Sequence, residues 1–181
     1  VELTSRCNKS CWMCGRRRVE NEYPQLALAY GDMDFALVER IAAQLPPRTV
    51  VQLHNNGEAL MYPRFGDVVH LFQKQITNVV TNGKLLLEKA DELIGQLDTL
   101  AISVIERDPE ADEQFELIRR FLERKGTRKP FTLLRLNGDV DKERYRALGL
   151  TMATRNIHSA LGSFNYSRRH PTIPEIGICL D

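Results

Sequence analysis

The sequence predicts an α/β fold with mainly parallel strands and covering helices. One observation carries this. Short β-branched or apolar runs alternate with apolar residues at helical spacing along most of the chain. Such alternation is the pattern of right-handed strand–helix–strand crossovers, which lay helices over a parallel sheet. The spacing predicts about six strands. Periodicity alone leaves open whether the sheet curls into a partial barrel or lies flat and doubly wound.

The elements follow in order. Val1–Leu3 reads as the end of a buried strand, and a polar loop rich in Cys and Arg runs on to about Asp32. Asp34 is placed to cap a helix whose face is Phe35, Val38, Ile41, Ala42 and Leu45, stopped by Pro46-Pro47. Thr49–Leu53 is β-branched and predicts a strand. Phe65, Val68, Val69 and Phe72 predict a helix over Arg64–Gln73, and Ile76–Val80 a strand closed by Asn82-Gly83. Leu86, Ala90, Leu93, Ile94 and Leu97 mark the next helix, and Leu100–Ile105 the next strand. Asp108-Pro109 predicts a capped helix start, with Phe115, Ile118, Phe121 and Leu122 as its core face and Gly126 as its end. Phe131–Leu136 is a strand, Glu143–Leu148 a short helix, and Leu150–Thr154 the last strand. After Ile157 the pattern dissolves into Gly, Ser, Asn, Arg and Pro.

The bulk numbers bound the function. The 181 residues suffice for one domain with a real core, and 43% hydrophobic and 27% charged residues are ordinary for a globular protein. A net charge of +1 gives no electrostatic case for a nucleic-acid or membrane-surface partner. No apolar run approaches the ~20 residues that span a bilayer, so a cytoplasmic protein is expected. Four cysteines are too few for a disulfide scaffold, and three of them cluster, which points to metal or redox chemistry. The chain opens inside an apparent strand and closes just after Cys179, so it reads as a segment of a longer protein.

In parallel α/β folds the working residues sit in loops beyond the C-terminal strand ends. The polar motifs fall there one after another. Cys7, Cys11 and Cys14 follow the first strand with Cys-x3-Cys-x2-Cys spacing. His54-Asn55-Asn56-Gly57-Glu58 follows the second, and Thr81-Asn82-Gly83 the third. Ser103 and Glu106 close the fourth, Asn137-Gly138 the fifth, and Arg155 with His158 follow the sixth. Three thiolates on one short loop can hold three irons of a four-iron cluster and leave the fourth open, since four cysteines close such a cluster. Structural zinc needs four ligands, and no fourth Cys or His lies in this loop. Cys11-Trp-Met-Cys14 also has the spacing of a thiol-redox pair. A zinc-binding structural module and a thiol-redox protein therefore stay open beside the iron–sulfur reading. Arg135 is either an anchor for an anion or half of a salt bridge. Arg16-Arg17-Arg18 is either a solvated charge run or a contact for an anionic partner. His54 reads as a packed strand-end residue.

The cysteine motif resembles that of the radical S-adenosylmethionine (radical SAM) superfamily, and the likeness runs through nearly the whole chain. It implies a partial (β/α)6 TIM-like barrel over residues 1–160, and residues 161–181 as the start of a C-terminal extension of the SPASM or twitch type. It implies a [4Fe–4S] cluster on Cys7, Cys11 and Cys14, with SAM on its open iron. Asn56-Gly57-Glu58 resembles the Gly-Gly-Glu motif that receives the SAM amino group, with Asn56 in place of the first glycine. Met13 stands where an aromatic residue often meets the adenine. Ser103 stands where a serine often meets the ribose, although the usual Ser-x-Asp is here Ser103-Val104-Ile105. Asn82, Arg135, Asn137 and Arg155 would complete the SAM site. Cys179 would be the first ligand of an auxiliary iron–sulfur cluster. The resemblance further implies reductive cleavage of SAM and hydrogen abstraction from a small-molecule or peptide substrate. Alcohol oxidation and peptide maturation are the reactions it favours, with a flavodoxin or ferredoxin as electron donor.

Overall fold

The computed structural model describes residues 1–27 and 29–157, with Arg18 described through its backbone only. His158, Cys179 and the expected extension lie outside the described residues. One sheet organises the chain. Its strands are β1 (Val50–Gln52), β2 (Ile76–Thr81), β3 (Thr99–Ile105), β4 (Phe131–Asn137) and β5 (Thr151–Arg155). All neighbours are parallel, and the spatial order is the sequence order. A doubly wound sheet reverses direction at a switch point. This one never reverses, so right-handed crossovers bring every connecting helix to the same face. Each strand lies within one residue of its predicted bounds.

The sheet has five strands among the described residues, not six. Val1–Leu3 runs beside β1, with the Val1 nitrogen donating to the Gln52 carbonyl at 2.8 Å. Its pairing partner, however, is the segment at 31–33. Met33 N–H donates to Leu3 O, Ser5 N–H donates to Gly31 O, and an isolated antiparallel bridge joins Thr4 to Asp32. Beyond that single bond from Val1, no backbone hydrogen bond joins this segment to β1 among the described residues, so the parallel ladder stops at β1.

Helices α1 (Gly15–Glu22) and α2 (Pro24–Ala27) occupy what reads as loop in the sequence. α1 has no apolar stripe to betray it. Arg16 and Arg17 both pair with Glu20, one and nearly one turn on, and Arg16 lies 4.5 Å over the Tyr30 ring. These two arginines are thus engaged, not a free charge run. α3 (Phe35–Gln44) starts as predicted, with the Asp34 carboxylate accepting from Ala36 N–H at 2.7 Å. α4 (Phe65–Leu71) buries Phe65, Val68 and Val69. The next predicted helix shrinks to α5 (Ala90–Leu93) within a run of turns, although Leu86, Ala90, Leu93 and Leu97 are all fully buried. α6 (Ala111–Lys125) begins later than predicted, because Asp108 does not cap it. One Asp108 oxygen accepts from Glu110 N–H, and the other is taken by Lys9. α7 (Lys142–Arg146) is capped by Asp141.

Strand alternation divides the sheet into two faces. Val79, Leu100, Ile102, Val104, Leu134 and Leu136 face the helices and join Leu53, Phe65, Phe72, Ile118 and Phe121 in one core. The opposite face carries the strand rows Ser103–Arg135–Ala153 and Ile105–Asn137–Arg155. The cysteine loop lies at the C-terminal rim of these strands, where Asn82, just past β2, reaches Cys7.

Candidate functional site

The loop at residues 6–14 is held by polar contacts to distant parts of the chain. Arg6 forks onto Asp32, with its closest nitrogen–oxygen distance at 2.6 Å. Asn82 Nδ2 donates to Asn8 Oδ1 at 2.8 Å and lies 3.8 Å from Cys7 Sγ. Lys9 Nζ meets Asp108 Oδ2 at 2.6 Å. Trp12 Nε1 donates to Glu106 O at 2.9 Å, and Arg17 donates to Lys9 O. Cys14 is the N-cap residue of α1, so a thiolate there meets the positive end of the helix. The three cysteines are free and half-buried. No disulfide links them.

The turn after β1 packs directly on this loop. A Cβ on Gly57 would overlap Thr4 O and stand 2.9 Å from Arg6 O, so only glycine fits. Glu58 N–H donates to Arg6 O at 2.8 Å. Glu2 secures the other side, accepting from Asn56 and Gly57 N–H. The Glu58 carboxylate is only 3% exposed. It accepts from Leu60 N–H, Thr81 Oγ1 and Asn82 N–H. Burial raises its pKa, and these three hydrogen bonds pull the other way. Glu58 thus locks the residue that touches Cys7.

The remaining predicted residues separate into structural and open groups. Asn137 Nδ2 is spent on Val104 O and Arg135 O. Ser103 and Arg135 sit side by side in strand register, both half-buried. Arg135 Nε is buried without a hydrogen-bond partner, and no salt bridge to Arg135 occurs among the described residues. Burial and the nearby charge of Arg155 both lower its pKa. Arg155 is exposed and Met13 half-buried. Asn56 is exposed at the tip of its turn. His54 is the packed strand-end residue expected. Its Nδ1 accepts from Val80 N–H, and burial, then the charge of Arg135, pushes its pKa down to about 4.

The geometry weighs on the rival readings. Burial pushes the Cys11 thiol up to about 11, the reverse of what a thiol-redox pair requires. Among the described residues no three Cys, His, Asp or Glu side chains converge as ligands of one ion. Structural zinc needs four such ligands. A four-iron cluster takes each thiolate on a different iron. A half-buried loop bearing three thiols, one at a helix N-terminus, fits that donor set.

No family model matches the chain. Over 110 residues, 58% of its length, the chain is 33% identical to the tungsten-containing aldehyde ferredoxin oxidoreductase cofactor-modifying protein of Pyrococcus furiosus. That match spans 28% of the relative. Among solved structures, BtrN in complex with AdoMet and 2-DOIA superposes with a TM-score of 0.52 and 16% identity, over 86% of this chain and 68% of that one. The chain has the fold of BtrN. An archaeal TYW1 gives a TM-score of 0.43 at 22% identity, over 75% of this chain and 48% of that one.

Within this BtrN-like fold, several residues outside the expected SAM-site and cluster residues build the site. Gln114 is 2% exposed and donates to both Asn82 O and Ser103 O, tying the ends of β2 and β3. Its signal was a polar residue four before Ile118 on an apolar helix stripe. Glu106 accepts from Asp139 N–H, and a Cβ on Gly138 would collide with its carboxylate, so it supports the β4 exit turn. Glu2 and Lys9 gave no signal, and Asp108 gave only that of a helix start, because their partners here lie more than fifty positions away. No helix among the described residues is long and apolar enough to cross a membrane.

Proposed function

We propose that this chain is the radical-generating core of a radical SAM enzyme. One observation carries the reading: three thiols on one clamped loop stand at the C-terminal rim of a singly wound parallel sheet. Cys7, Cys11 and Cys14 would hold a [4Fe–4S] cluster. Bound there with SAM, it supplies reductive cleavage to methionine and a 5′-deoxyadenosyl radical that takes a hydrogen atom from substrate.

The chain's own residues bind and orient. Asn56, Gly57 and Glu58 would receive the SAM amino group, with the buried Glu58 acting first by fixing Asn82 beside Cys7. Met13 would border the adenine and Ser103 the ribose. Arg135 and Arg155 line the same open face as Asn137 and would meet the carboxylate or ribose, while Asn137, its amide nitrogen engaged, would offer Oδ1 to a ribose hydroxyl. Residues 1–160 form the core in this reading, and 161–181 begin an extension in which Cys179 would serve an auxiliary cluster. The substrate is a small molecule or peptide undergoing oxidation or maturation, and the electron donor is a flavodoxin or ferredoxin. The name of the Pyrococcus furiosus relative adds an enzyme cofactor to the candidate substrates.

Anaerobic reconstitution followed by SAM and dithionite tests the proposal. A brown protein releasing 5′-deoxyadenosine is expected. Cys7→Ala, Cys11→Ala and Cys14→Ala should each abolish release with unchanged circular dichroism. Release persisting in all three variants would overturn it.

A further inference from the structure

We propose that the buried Lys9–Asp108 pair tunes the electrostatic potential at the cysteine loop. Lys9 favours the reduced state of a cluster held there, and Asp108 opposes it. The inference rests on the iron–sulfur reading above.

The geometry singles this pair out. Lys9 Nζ stands 2.6 Å from Asp108 Oδ2, with the two side chains 5% and 4% exposed. Burying both ions costs desolvation that mutual attraction often fails to offset, so apolar side chains would hold the loop as well. A tether alone therefore gives no reason for charge at this place. Two further charges extend the array. Glu110 lies 3.5 Å from Lys9 and pairs with Lys84 at 2.6 Å. Those outer side chains are 36% and 27% exposed, so water and salt screen them more than the inner pair.

The inner pair also adjoins the thiols. Lys9, Asp108, Cys11 and Trp12 line one cleft of about 180 Å³. Lys9 belongs to the loop itself, and Arg17 fixes its carbonyl at 3.2 Å. A reduced cluster carries one more negative charge than an oxidised one. Iron–sulfur potentials respond to local charge and exposure. A poorly screened cation beside Cys11 thus stabilises the reduced state, and the carboxylate partner limits how far.

The test is a redox titration of the reconstituted protein, followed by electron paramagnetic resonance. It compares wild type, Lys9→Met, Asp108→Asn and the double variant. At the potential where wild type is half reduced, Lys9→Met should lower the reduced-to-oxidised ratio about tenfold, a shift of ~59 mV for one electron. Asp108→Asn should raise it by a similar factor, and the double variant should return toward wild type. A purely structural tether predicts iron loss in both single variants, with potentials unmoved or moved alike. Either pattern of potentials overturns the inference. Should Lys9→Met fail to load, the near-isosteric Asp108→Asn decides alone: an upward shift supports the proposal, and an unmoved or downward one overturns it. If wild type takes up no four-iron cluster, the reading beneath the inference fails instead.

Discussion

The cysteine loop and the sheet body are built by opposite means. The body, from β1 to β4, is held by apolar side chains packed between one sheet face and its helices. The loop contributes almost nothing to that core. It is held by an arginine fork, an asparagine amide, an indole N–H and a buried ion pair. Apolar packing is non-directional and tolerates small shifts, whereas hydrogen bonds to charged or buried groups fix angles as well as distances. The difference suits the tasks. A body must be stable, and a loop that presents three thiols must be positioned.

Substitutions in each region sharpen that contrast. Phe121→Ala removes a fully buried ring from the body and should cost about 3–5 kcal/mol in chemical denaturation. A loss below about 1 kcal/mol would mean the core is less cooperative than its packing implies. Gly57→Ala strikes the contact between the β1 turn and the loop. It should cost about 1–3 kcal/mol and reduce iron retained after reconstitution. Full retention would show that the loop does not depend on this close approach.

His54, at the end of β1, should give the smallest effect. Its folded pKa is depressed to about 4 against an ordinary 6.5. Its stabilising contribution is therefore present above pH 6.5 and is lost as pH falls toward 4. After allowing for its partial exposure, the loss between pH 7 and pH 5 should be about 1 kcal/mol. Thermal melts of wild type and His54→Gln across that range should converge at the acid end. Parallel curves would remove His54 from the account.

The same contrast explains what the sequence disclosed. The strands of the body were legible to within a residue, because β-branched runs and apolar spacing are local records of burial. The sheet's direction followed from alternation, although its singly wound order needed the observed pairing. Helix α1 escaped notice because charge pairs stabilise it, and periodicity does not register them. Asp108-Pro109 has a helix-start pattern, yet Asp108 Oδ1 accepts from Glu110 N–H in a turn ahead of α6 while Oδ2 meets Lys9. The three cysteines were visible as a motif. Their clamps were not, since Glu2, Lys9 and Gln114 look like ordinary polar residues until the fold brings them across the chain.

That long reach has a consequence for biosynthesis. The contacts of Cys7 with Asn82, Trp12 with Glu106 and Lys9 with Asp108 span 75, 94 and 99 residues of chain. Translation proceeds at ~5–20 residues per second, so the thiols leave the ribosome roughly 4–20 seconds before these partners exist. During that interval the cysteines are on an untethered segment, open to oxidants and stray metals. The ordering of these thiols is then timed by the completion of β3 and the loop beyond it, not by the appearance of the thiols themselves.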